Sequence, residues 1–142
     1  PFFVLNGDIL WLDGPTAALS QLVRCWNERE MDGLLLLHST VEAYGYSGVG
    51  DFLVDSDGML SNRPEQQVSP YVFTGVQLLH PRLFKNGHHS AFSLNYLYDR
   101  SIAEERLFGI IHDGDWFHIG TEDGLNQAEA YFQQRFPSTR HR

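Results

Sequence analysis

Four consecutive leucines, Leu34 to Leu37, follow Gly33 without a polar interruption. A strand with one wet face alternates apolar and polar residues. A continuous run belongs to a strand covered on both faces. This chain must therefore supply a layer on each side of that strand. Upstream, Phe2-Phe3-Val4-Leu5 reads as another buried strand, ended by the turn residues Asn6-Gly7-Asp8. Gly14-Pro15-Thr16 is a break, with Thr16 placed to cap a helix. Ala17, Ala18, Leu22, Val23 and Trp26 give that helix an apolar face, which also takes Cys25 into the core. Strand, helix and strand in succession predict a βαβ unit in an α/β layer fold.

Beyond residue 40 the texture changes. Tyr44-Gly45-Tyr46-Ser47-Gly48-Val49-Gly50 is a glycine-rich loop leading into a short strand at 51–54. Asp55-Ser56-Asp57-Gly58 is a hairpin turn, with Met59-Leu60 returning. A long strand follows over 71–79. Ser93 is placed to cap a helix to about 106, with Leu94, Leu97, Ile102 and Leu107 as core positions. Segments 107–112 and 116–119 are expected to pair as a hairpin around Asp113-Gly114-Asp115, and a last helix runs over 122–136. There is no internal repeat. Residues 138–142 should fray.

The 142 residues suit one domain. Ten Lys and Arg against 18 Asp and Glu give a net charge of −8, which argues against a general nucleic-acid or membrane-surface binder. No apolar run approaches the ~20 residues of a membrane span, and no signal peptide is evident. The cytoplasm is the expected compartment. A single cysteine excludes an internal disulfide framework and a cysteine-rich zinc site.

Two segments carry candidate chemistry. Asn6-Gly7-Asp8 stands at the carboxyl end of a strand, where α/β sheets bind ligands. Its aspartate is either an oxygen ligand for Mg²⁺ or part of a strand-ending turn. Trp116-Phe117-His118-Ile119-Gly120-Thr121 puts Trp116 and His118 on one strand face and leads into a helix whose N-terminus favours an anion. The alternative is a strand with one polar position. His88-His89 reads as a solvated loop, and no H-E-x-x-H zinc pattern or G-x-S-x-G elbow is present.

Taken in order, Asn6-Gly7-Asp8, Gly48-Val49-Gly50-Asp51-Phe52, Tyr71-Val72-Phe73-Thr74-Gly75-Val76-Gln77, Phe92-Ser93-Leu94-Asn95 and Trp116-Phe117-His118-Ile119-Gly120-Thr121 resemble the sugar-1-phosphate nucleotidyltransferases. The resemblance is strongest to the N-acetylmuramate-1-phosphate uridylyltransferase and mannose-1-phosphate guanylyltransferase-like branch. It implies a Rossmann-like fold, here partial, with a mixed, mostly parallel sheet and helices on both faces. Residues 1–137 would be the C-terminal portion of one such domain. The implied substrates are a sugar-1-phosphate and a nucleoside triphosphate, with Mg²⁺ as cofactor. The resemblance makes Asp8 the catalytic, metal-binding aspartate. It brings Asn6, Gly48, Asn62, Arg63, Phe73, Thr74, Gly75 and Asn95 to the substrate. Arg63 stands where many members carry a lysine for the sugar phosphate, and Asn62 where a glutamate is common.

Two departures qualify these implications. The family's Trp-x-Asp-x-Gly-Thr motif carries a second metal aspartate, and His118 occupies that place. Imidazole is a poorer Mg²⁺ ligand than carboxylate, which leaves His118 to a metal, a phosphate or neither. The family's Gly-rich triphosphate loop is absent. On that ground about 90–100 residues of a typical domain are expected to lie ahead of Pro1, and the chain alone is expected to be inactive and prone to self-association. A non-catalytic regulatory or binding module is the competing expectation.

Overall fold

The leucine run becomes β3 (Gly33–Ser39), the second strand from one side of a four-stranded sheet. The computed structural model describes residues 1–85 and 94–137. In chain order the elements are β1 (Phe2–Leu5), β2 (Ile9–Leu12), α1 (Ala18–Cys25), β3, β4 (Phe52–Val54), β5 (Leu60–Asn62), β6 (Tyr71–Leu79), α2 (Leu94–Ala103), β7 (Leu107–Ile111), β8 (Asp115–His118) and α3 (Glu122–Arg135). The main sheet has the order β1-β6-β3-β7. β6 is antiparallel to both β1 and β3, and β3 is parallel to β7. Three of the four strands therefore run the same way, and the sheet is mixed.

Alternate leucines of β3 enter different cores. Leu34 and Leu36 pack with Ala18 and Leu22 of α1, Val76 and Trp116. Leu35 and Leu37 pack with Tyr98 of α2, Leu60 and Leu107. All four leucines are buried. The two helices thus cover opposite faces, as the unbroken apolar run requires.

Several elements differ from expectation. β1 forms, but at the sheet's edge, with Phe2 41%, Phe3 39% and Leu5 48% exposed. An apolar run fixes a strand without fixing its place in the sheet. The expected hairpin at 107–119 does not form. β7 pairs with β3, while β8 pairs antiparallel with β2, a strand the turn residues before it concealed. α1 is not capped by Thr16; Asp13 Oδ1 accepts the Ala18 N–H at 2.9 Å. Cys25 and Val23 are exposed, because α1 ends at Cys25 and Trp26 reaches back onto the core instead. The β4–β5 hairpin, β6 and α3 form as expected. α2 ends at Ala103, short of 106, with Glu105 at φ 59° just beyond it. His88-His89, Phe92, Ser93 and the 138–142 tail lie outside the described residues.

Candidate active site

β1 ends beside β6 at Leu5, paired with Val76, and the chain then crosses to β2 through Asn6-Gly7-Asp8. Two local features fix this crossing. The Asn6 N–H donates to Gly75 O at 2.9 Å. Gly75 has φ +90°, and a Cβ there would stand 2.8 Å from Asn6 Nδ2 and 2.9 Å from its Cβ. Only glycine combines that backbone with room for the asparagine. Beside it, the β3–β6 register slips between Leu35 and Leu37. Thr74 Oγ1 there donates to Leu36 O at 2.8 Å, and Trp116 Nε1 donates to Thr74 O at 2.9 Å. Thr74 is fully buried. Its hydroxyl braces the sheet irregularity.

Asp8 is placed by its own carbonyl, which accepts the Ile119 N–H at 2.9 Å. The β2–β8 pairing then brings His118 beside it. His118 Nε2 lies 3.6 Å from Asp8 Oδ2, with side-chain exposures of 30% and 55%. The His118 carbonyl is enclosed by glycines: a Cβ on Gly45 or Gly124 would collide with it. Thr121 caps α3, its Oγ1 accepting the Gly124 N–H at 3.0 Å.

A cleft of about 390 Å³ opens over these groups. It brings together Asn6, Asp8, Gly48, Phe73, Thr74 and His118, six residues singled out from the sequence. Gly48 lies directly against the Tyr46 ring, where a Cβ would be 2.6 Å from Cζ. Gly75 supports Asn6 from beneath. A second cleft of about 470 Å³ holds Asn62, Arg63 and Asn95, and shares Asp51 and Phe73 with the first. Asn62 Nδ2 donates to Asp99 Oδ1 at 3.0 Å. Arg63 is already engaged: Nε donates to Gly50 O, and Nη1 to the carbonyls of Pro64, Glu65 and Gln67. A two-bond clamp on phosphate would require it to release part of that loop.

Sequence reasoning missed the residue that joins the clefts. Asp51 Oδ2 accepts the Phe73 N–H at 2.8 Å, tying the glycine-rich loop to β6. Its signal was a carboxylate directly after Gly50, inside the Gly48-Val49-Gly50-Asp51-Phe52 segment of which only Gly48 was assigned to the substrate. Tyr46, Tyr98 and Asp99 were likewise passed over as site residues. Tyr46 Oη accepts the Gly50 N–H at 3.0 Å, and burial pushes its phenol up. Burial also pushes the Tyr98 phenol up to about 12, despite its hydrogen bond to Gln77 Oε1 at 2.6 Å.

Asp8 and His118 supply one carboxylate oxygen and one imidazole nitrogen. Among the described residues, no three His, Cys, Asp or Glu side chains converge as a metal cage. One carboxylate beside an open cleft nevertheless fits Mg²⁺, which keeps several waters and is completed by substrate phosphates.

No family model matches the chain. It is 32% identical over 130 residues to the N-acetylmuramate alpha-1-phosphate uridylyltransferase of Caulobacter vibrioides, covering 92% of this chain and 54% of that protein. The chain thus spans about half of that relative's length. The UTP-bound UGPase of Acinetobacter baumannii shares its fold at TM-score 0.69 and 18% identity, over 96% of this chain and 52% of that one. The inositol-1-phosphate CTP transferase of T. maritima does so at TM-score 0.64 and 17% identity, over 99% and 58%. Sequence and fold together relate this chain, along nearly all its length, to about half of a sugar-1-phosphate nucleotidyltransferase.

Proposed function

We propose that the complete natural protein carrying this chain transfers a nucleotidyl group from a nucleoside triphosphate to a sugar-1-phosphate. In that reaction a phosphate oxygen of the sugar-1-phosphate attacks the α-phosphorus, a new P–O bond forms, and pyrophosphate leaves. The attacking oxygen is already anionic, so no base is needed to activate it. The demands on the protein are positioning and charge neutralisation. The observation that carries the reading is the convergence of Asn6, Asp8, Gly48, Phe73 and His118 on one cleft at the carboxyl ends of the strands.

In this reading Asp8 holds Mg²⁺, with Asn6 and Gly48 set around the substrate. When bound, Mg²⁺ neutralises phosphate charge and orients the reacting groups. The adjoining cleft takes the sugar: Asn62, Asn95, Asp51 and Asp99 offer amides and carboxylates for hydroxyls, and Phe73 and Tyr98 supply apolar surface. The remaining triphosphate contacts come from outside this chain, which alone is inactive. The cytoplasm is the compartment that supplies the triphosphate.

Pyrophosphate release by the complete protein tests this. UTP with N-acetylmuramate 1-phosphate is the first pair to try, given the name of the 32% identical relative. Asp8→Asn should lower turnover by at least about 100-fold; full turnover would sink the metal assignment. His118, standing where the family has aspartate, favours a second reading as a non-catalytic binding module. Substrate binding without pyrophosphate release by the unaltered protein would select it.

A further inference from the structure

The proposed substrate clefts lie at the carboxyl ends of β1 and β3. A different kind of cleft lies at the opposite end of the sheet. Its position follows from the strand directions. Asp32 precedes β3, Arg106 precedes the parallel β7, and Arg82 follows the antiparallel β6, whose Leu79 pairs with Gly33. With Lys85, Arg100 and Glu104 these residues line a space of about 480 Å³. Every lining residue is charged. Among the lining residues four cations face two carboxylates; Glu28, just outside the lining, faces Arg82 Nη1 at 3.6 Å, which still leaves an excess of positive charge in a chain whose net charge is −8 with only ten Lys and Arg.

The network uses these cations unequally. Arg82 is spent internally. Its Nε donates to Asp32 Oδ1 at 2.5 Å, and its Nη2 donates to Glu28 O at 2.6 Å and Met31 O at 2.5 Å. Asp32, 6% exposed, forms the base and also accepts from Arg106 Nε at 2.9 Å. That is the one hydrogen bond of the Arg106 side chain among the described residues, and it leaves both Nη groups without a partner there. Arg100 gives Nη2 to Leu83 O and keeps Nε and Nη1. The Lys85 ammonium has no partner among the described residues, although its main chain is fixed by Lys85 N–H to Arg82 O at 3.1 Å. Ion pairing of Asp32 alone explains Arg82 and one edge of Arg106. It does not explain Lys85, Arg100 and the spare fork of Arg106 around a ligand-sized space.

We propose that this cleft is a second ligand site, for a small polyphosphorylated or otherwise multiply anionic molecule. Guanidinium forks match phosphate oxygens in pairs, and a lysine adds a point charge. The volume lies within the range of small-molecule sites and exceeds what a lone phosphate fills. The site is independent of the nucleotidyl-transfer reading, since none of its residues lines the Asp8 cleft.

Inorganic tripolyphosphate is a suitable probe, titrated calorimetrically into the complete natural protein at low ionic strength. Because it can also enter a triphosphate site, the titration is repeated on Lys85→Glu, Arg106→Gln and Asp8→Asn. A saturable component should survive in Asp8→Asn and weaken about tenfold in Lys85→Glu. It should also weaken with added salt. Lys85→Glu leaves the Asp32 network intact, so it remains informative if Arg106→Gln misfolds. Absence of saturable binding, equal binding in Lys85→Glu, or loss in Asp8→Asn alone would each overturn the proposal.

Discussion

Replacing Asp32 by asparagine isolates an electrostatic contribution at the base of the sheet. Asp32 is nearly buried, and its Oδ1 receives Arg82 Nε at 2.5 Å and Arg106 Nε at 2.9 Å. Burial pushes the carboxyl up, but the hydrogen bonds and charges of the two arginines outweigh it and hold the group below its ordinary range. Asparagine keeps the shape and removes the charge. Losing one partner of a fully buried pair costs about 3–5 kcal/mol. The arginine side chains are 26% and 29% exposed, so water recovers part of that, and about 2 kcal/mol is expected. The sign with pH follows from the depressed native value. The carboxylate stabilises fully above its unfolded pKa of about 3.9, and that contribution is lost as pH falls through the lower native one. Urea denaturation followed by tryptophan fluorescence, on the complete protein at pH 7 and near pH 3, measures both quantities. The difference between variant and native should be largest at pH 7 and shrink at pH 3. Equal differences at the two pH values, or none at pH 7, would refute the charge argument.

Three further substitutions test the packing of the site. Tyr98→Phe removes the only hydrogen-bond partner of Gln77 Oε1 among the described residues and should cost about 1–2 kcal/mol by thermal melt. With the Tyr98 phenol near 12 in the folded state, its contribution is present below about pH 10 and lost as pH rises through the native value; an ultraviolet titration should show a tyrosine ionising near 12 that is missing from Tyr98→Phe. Gly75→Ala forces a side chain into a left-handed backbone and against Asn6. It should cost about 1–3 kcal/mol and weaken substrate binding in a KM measurement. Thr121→Ala removes the α3 cap and should lower stability by about 1 kcal/mol, read from the denaturant midpoint.

The sequence carried local information well and pairing information poorly. Leu34 to Leu37 declared a two-sided strand, and Asp55 to Gly58 declared a hairpin, because patterning and turn chemistry reside within a few residues. The Asp113-Gly114-Asp115 turn carries the same local signal, yet its flanking strands pair elsewhere, with β3 and with β2. Those pairings bridge distant parts of the chain, and nothing in the segment itself encodes them. Phe2-Phe3-Val4-Leu5 shows the same limit: apolarity announced a strand and could not say that it lies at an edge. Six of the residues singled out by resemblance line one cleft. Asp51 escaped because its role is to tie a loop to Phe73 N–H, and such a contact has no sequence spacing of its own. Thr74 was singled out and lines the cleft, but its hydroxyl is committed inward to Leu36 O.

The slot around the His118 carbonyl has a consequence for how variants here are interpreted. Gly45 and Gly124 hold that carbonyl by what they lack, since either would strike it with the smallest added carbon. A systematic survey of single substitutions would therefore record methyl additions at these glycines as severely as the loss of Asp8. Sensitivity in such a survey would mark the residues that leave space as strongly as those that contribute an atom. Only a readout separating correct folding from turnover would tell the two kinds apart.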